Sequence, residues 1–134
     1  MISENHKHSD ITKLILKAYY EVYNKLGFGF LEKVYENAPS IEQKKLGLFC
    51  ERQKSIEVFY DSLPVGQYFA DIVVNECVII EIKAAEGLAF EHECQLINYL
   101  KATELEVGLL LNFGKEPQFK RKVFSNSYKN LIKS

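Results

Sequence analysis

The sequence lacks any paired cysteine motif. Cys50, Cys77 and Cys94 lie far apart and form no C-x-x-C. Three scattered thiols argue against a disulfide scaffold and for a reducing compartment. Long apolar runs are missing as well. None approaches the ~18–20 residues that cross a bilayer, so no membrane partner is expected. The opening residues, MISENHKHSD, are polar and contain no secretory apolar core. These absences predict a soluble, cytoplasmic protein. There are no repeats and no low-complexity tract. Zinc-finger, helix-turn-helix and RNP motifs are absent, so sequence-specific recognition has no visible carrier. The GFGF turn at 27–30 is too short for a phosphate-binding loop and lacks its Lys-Ser/Thr. Overall basic charge is lacking too. The formal net charge is -1. That excludes binding nucleic acid through bulk charge, but leaves a local basic surface open.

The charge that is there is uneven. Residues 115–134 carry six basic side chains against Glu116, net +5, and residues 1–114 carry net -6. A length of 134 residues, 47% of them apolar, allows one domain with a real core. Residues 1–10 read as a flexible N-terminus and 11–134 as the domain.

Ser9 or Asp10 is placed to cap a helix beginning at Ile11. Ile11, Leu14, Ile15, Ala18, Tyr19, Val22 and Leu26 recur at helical spacing, and Gly27 ends the helix. A second helix is predicted over 30–46, with Pro39 expected to kink or interrupt it. Residues 49–60 turn to period two. DSLPVG reads as a hairpin connection, QYFADIVVN as the next strand, and CVIIEIKA as a third after a short Asn75-Glu76 turn. Helical spacing returns over 88–103. EVGLLLNF is a nearly unbroken apolar run, the mark of a strand buried on both faces. It follows a helix, so a parallel crossover to the strand at 78–84 is expected. KRKVF reads as an edge strand and SYKNLIK as a last short helix. The order predicts an α/β fold with a mixed β-sheet flanked by helices.

Charges interrupt the most hydrophobic strands. Asp71 breaks one apolar strand and Glu81 the next, while Glu81 and Lys83 share a face because side chains alternate with period two. Pairing centred on the Asn75-Glu76 turn places residue 71 near 80, one short of 81. A bulge or twist has to bring the two carboxylates together. Buried carboxylates are expensive unless paired or bound to a metal. Two at a strand end suit a hard cation such as Mg²⁺ or Mn²⁺. The residues alone also fit a solvent-facing Glu81–Lys83 pair on an edge strand, or an ion network in the core.

Asp71, nine residues, then Glu81-Ile82-Lys83 resembles the D…ExK signature of the PD-(D/E)xK nuclease superfamily. Gly29-x-x-Glu32-x-x-Tyr35, within GFLEKVYENA, is similar to the name-giving motif of the GxxExxY protein family. The likeness continues through GQYFADIVVN, VIIEIKA, HECQLINYL and VGLLLNFG, about residues 11–124. The first aspartate follows Ala70 where many members have proline. The resemblance implies a restriction-endonuclease-like core and metal-dependent phosphodiester hydrolysis on DNA. It implies Asp71, Glu81 and Glu32 as metal-binding carboxylates, and Lys83 as the lysine that orients or deprotonates the attacking water. Gln95 and Tyr99 resemble the QxxxY element of RecB-like nucleases. With Tyr35 they are expected to position substrate. Lys120, Arg121 and Lys122 are then candidates for phosphate-backbone contacts. His92 is expected to face solvent. Small nucleases of this kind often dimerise, and the apolar face of the helix at 11–26 is a candidate interface. The competing expectation is a non-catalytic nucleic-acid-binding or protein-interaction module on the same fold.

Overall fold

The computed structural model describes residues 7–129. Its elements are α1 (Ser9–Leu26), α2 (Glu32–Lys45), β1 (Cys50–Tyr60), β2 (Leu63–Val74), β3 (Val78–Lys83), α3 (Phe90–Lys101), β4 (Val107–Phe113) and β5 (Pro117–Val123). The five strands form one mixed sheet in the order β1-β2-β3-β4-β5. β1, β2 and β3 are an antiparallel meander. β4 runs parallel to β3 after the α3 crossover, and β5 returns antiparallel as an edge.

Helices cover both faces. Ile15, Tyr19 and Val22 of α1 and Tyr35 of α2 pack on Ile72, Val74, Ile80, Ile82, Leu109 and Leu111. Leu96, Tyr99 and Leu100 of α3 pack on Ile56, Ala70, Val73, Ile79 and Leu110 opposite. β3 and β4 therefore have helices on both sides, which is why their sequences are apolar runs. The apolar face of α1, a candidate dimer interface by sequence, is committed to this core: Ile15, Ala18, Tyr19 and Val22 are buried.

Several boundaries differ from expectation. Neither Ser9 nor Asp10 caps α1. The helix starts at Ser9 after His8, which has a left-handed backbone (φ +51°), and no side chain caps it. α2 continues through Pro39. Proline removes the N–H that would reach the Tyr35 carbonyl one turn back, yet Tyr35, Pro39, Ser40 and Gln43 are all buried against the domain. Burial of that face holds the helix together where local propensity would break it. The hairpin connection is only Asp61-Ser62, both with positive φ (+50° and +64°), and Leu63–Gly66 belong to β2. Two left-handed residues match the twist of paired strands. The last short helix predicted over SYKNLIK is a 3-10 turn at Asn126–Tyr128; its residues from 130 onward lie outside the described region, as do residues 1–6.

One buried hydroxyl ties the layers. Tyr19 Oη donates to the Asn112 carbonyl and accepts the Gln118 N–H at 2.8 Å, joining α1 to β4 and β5. Burial raises its pKa far above the phenol range. Tyr19→Phe removes both of these hydrogen bonds. It is expected to lower stability by about 1–2 kcal/mol, read as a fall in the urea midpoint at unchanged slope. An unchanged midpoint would show that the hydroxyl contributes nothing.

Candidate functional site

The Asn75-Glu76 turn sets the site's register. Both residues have positive φ (+51° and +55°), and Cys77 donates back to the Val74 carbonyl at 2.9 Å. The ladder then pairs Val74 with Val78, Val73 with Ile79 and Ile72 with Ile80. Cys77 is thus one extra residue, and the same register sets Asp71 opposite Glu81. The one-residue offset of the sequence count is made up by a three-residue turn, Asn75 to Cys77, with no shift in the ladder itself.

Beyond Ile72 and Ile80 the two strands part, and side chains replace the ladder. Glu81 Oε2 accepts the Asp71 N–H at 2.9 Å, and Asp71 Oδ2 accepts the Ile82 N–H at 2.8 Å. The carboxylates sit in a fork between the diverging strands. Alternation along β2 is reset at this point: Val73 and Ala70, three residues apart, both join the α3-side core. Across from Asp71, Gln53 of β1 has φ +51°, a local irregularity in a ladder that keeps its register on either side. The sequence offers no sign of this at Gln53.

Both acids are held toward their neutral forms. Glu81 is 4% exposed, and burial followed by the Asp71 charge pushes its pKa up to about 8. Burial also raises Asp71, helped by the charges of Glu36 and Glu32, while the Ile82 N–H and Lys83 act the other way. Lys83, next but one along β3, opposes the shift on both carboxylates. The strand-edge salt-pair reading therefore does not hold for Glu81, which lies inside the sheet.

The other predicted residues divide. Gln95 Nε2 donates to Tyr99 Oη at 3.0 Å on α3, as the four-residue spacing implies. The charges of Glu81 and Asp71 both raise the Tyr99 pKa after burial does, so this pair borders the fork. Glu32 opens α2 and is exposed. It acts on both fork carboxylates through its charge, but among the described residues no three His, Cys, Asp or Glu side chains are grouped to hold a metal. Glu32 is thus outside a three-carboxylate shell with Asp71 and Glu81. Tyr35 is not at the site surface. It is fully buried, stacks on Phe113 with centroids 4.1 Å apart, and donates to the Gly27 carbonyl at 2.7 Å. Its ring packs in the core on the α1 side of the sheet, and its hydroxyl holds the glycine turn. Gly29, at φ +107°, needs to be glycine there.

The basic triad is split by strand alternation. Lys122 pairs with Glu93 of α3 at 2.6 Å. Arg121, on the opposite face, donates to the Lys7 carbonyl at 2.7 Å. Lys120 is exposed. The three do not form one phosphate-binding patch. His92, expected to face solvent, accepts the Ala89 N–H on Nδ1 at 3.1 Å and caps α3.

Glu36, its partner Gln53, and Asn112 were missed. Glu36 lies one turn after Glu32 and accepts from Gln53 Nε2 at 2.7 Å, with Asp71 Oδ1 3.5 Å from the same nitrogen. The four-residue Glu32–Glu36 spacing was a usable signal. Asn112, paired with Lys83 in the β3–β4 ladder, is 1% exposed. Its amide accepts the Ala85 N–H and donates to the Ala85 carbonyl, both at 3.0 Å. It fixes the chain that leaves Lys83, and a lone amide in the run VGLLLNF was the signal.

Two carboxylates in a fork, both destabilised as anions by burial and by like charge, suit a divalent cation by the chemistry of their oxygens. Comparison with known proteins agrees on the fold. The chain is similar to a solved structure, "Crystal structure of SSO0001", with 18% identity and a TM-score of 0.54, covering 88% of this chain and 60% of that one. A search of curated proteins found no match. The sequence profile of the PD-(D/E)XK nuclease superfamily matches residues 9–123. The chain belongs to the PD-(D/E)XK nuclease superfamily.

Proposed function

We propose that the protein is a Mg²⁺- or Mn²⁺-dependent nuclease acting on DNA, and a member of the GxxExxY family. The observation that carries this reading is the fork itself, where Asp71 and Glu81 face each other at the centre of the sheet. Asp71 and Glu81 would hold the cation, with Glu32 through a water. A bound cation would lower the pKa of its water and offset charge on the transferring phosphate. Lys83, on the same strand face as Glu81, orients or deprotonates the attacking water. Gln95 and Tyr99 position it or the substrate. The free thiols of Cys50, Cys77 and Cys94 support a cytoplasmic setting.

The test is cleavage of single-stranded, duplex and branched DNA with and without Mg²⁺ or Mn²⁺. Lys83→Ala is expected to lower cleavage about 100-fold while Mn²⁺ binding by calorimetry persists. Metal-independent cleavage, or cleavage untouched by the substitution, would overturn the mechanism. A second reading, a binding module with a silent site, is favoured by the lack of a three-carboxylate group among the described residues. DNA binding without Mn²⁺ binding would select it.

A further inference from the structure

Tyr68 stands three residues before Asp71, on the β1–β2 arm that extends past the fork. Its side chain was not among the residues the sequence motifs point to. It is 49% exposed. One side of its ring leans on Tyr99, with centroids 5.6 Å apart and planes at 42°. Gly66, two residues earlier, leaves the strand bare beneath it, where even a Cβ would come within 3.8 Å of Tyr68 Cε2. Tyr99 in turn bonds to Gln95 and feels the charges of Glu81 and Asp71. Two aromatic rings in contact therefore lie beside the carboxylates, and the outer one, Tyr68, is half exposed.

The arm around these rings is not basic. Residues 54–69 carry Lys54 against Glu57 and Asp61. Tyr60, Leu63, Val65 and Phe69 are exposed along it instead. Duplex DNA is gripped chiefly through rows of lysine and arginine on its phosphates, and this surface has no such row. An unpaired base offers a ring face that a paired and stacked base does not, and aromatic side chains take it without regard to sequence. Resting on the nuclease reading above, we propose that Tyr68 stacks on an unpaired base beside the scissile phosphate. The substrate is then a single-stranded stretch of nucleic acid, not an intact duplex. Tyr68 is a substrate-binding residue, held in place by Tyr99 before the substrate arrives.

The experiment compares binding of labelled oligothymidine and of a blunt duplex of equal length by fluorescence anisotropy. The full chain is used, with Ca²⁺ in place of Mg²⁺ to hold back cleavage. The single strand is expected to bind at least about tenfold more tightly. Tyr68→Leu keeps apolar packing on Tyr99 but has no ring face. It is expected to weaken single-strand binding about tenfold with duplex binding unchanged, while Tyr68→Phe binds as the parent does. Quenching of a 2-aminopurine placed in the strand should vanish in Tyr68→Leu and survive in Tyr68→Phe. Thermal melts of both variants report that the fold is kept. Equal affinity for strand and duplex, or full binding by Tyr68→Leu, overturns the inference. If metal-dependent cleavage continues in that case, the nuclease reading stands without it. Binding and cleavage of neither DNA form overturn both.

Discussion

Glu81→Gln is expected to make the metal-free protein more stable at pH 8 while abolishing its response to Mn²⁺. Glu81 has an ordinary pKa of 4.5 in the unfolded chain and about 8 in the fold. The folded state therefore holds a proton that the unfolded state gives up. Its contribution to stability is complete below pH 4.5 and is lost as pH rises through 8. The full loss is on the order of 4 kcal/mol. Glutamine keeps an oxygen for the Asp71 N–H, places an amide beside the Asp71 carboxylate, and carries no charge. Thermal unfolding in chelator should show the variant melting roughly 10–15 °C higher at pH 8. The two proteins should converge near pH 4. Added Mn²⁺ should raise the melting temperature of the parent at pH 8, because binding to the native state alone stabilises it. It should leave the variant unmoved. A variant that melts lower than the parent at pH 8 would mean that Glu81 is part of a stabilising ion network, the reading the sequence left open.

Gly108→Val is expected to lower stability by about 3 kcal/mol. Gly108 is the second residue of β4, between Ile79 of β3 and Lys122 of β5. A Cβ there would come within 2.6 Å of Leu96 Cδ1, 3.0 Å of Cγ and 3.1 Å of Cδ2. Leu96 is fully buried under α3, so it has no open space to turn into. The helix must lift, and α3 carries Gln95 and Tyr99. Leu96→Ala alone leaves a cavity and costs about 2–5 kcal/mol. Combined with Gly108→Val it should give a protein more stable than the sum of the two losses predicts, by at least about 1 kcal/mol. Urea unfolding of the four proteins measures the coupling. Strict additivity would show that Gly108 and Leu96 do not set the helix height.

Much of the architecture was legible because burial writes itself into composition. The run VGLLLNF reads as a strand covered on both faces, and all seven residues are buried. Its place after a helix implied the parallel pairing with β3, because a crossover returns a strand in the same direction. The charged KRKVF segment read as an edge and is one. Asp71, Glu81 and Lys83 stood out as charges in apolar strands, but period and composition alone left the two carboxylates one residue out of register, and the resemblance gave them their roles.

Other features depended on competition between segments. Pro39 breaks a helix by local rules, but the buried face around it outweighs the lost hydrogen bond. Tyr35 was expected beside the substrate because of its motif position, but it lies in the core. The stack on Phe113 and the bond to the Gly27 carbonyl decided it. Three consecutive cations looked like one patch, yet a strand sends neighbours to opposite faces, where Glu93 takes Lys122 and the Lys7 carbonyl takes Arg121.

By itself the sequence determined the kinds and order of the elements, the mixed sheet, and which strand carries Glu81 and Lys83. These follow from local periodicity and from apolar runs that have to be buried. Only the tertiary structure decided that Asp71 and Glu81 meet. Their meeting depends on Cys77 as one extra residue in a turn and on the parting of β2 from β3, beside the irregular backbone of Gln53. Each is a backbone choice of a residue or two, and its energy comes from contacts with strands and helices distant in the chain.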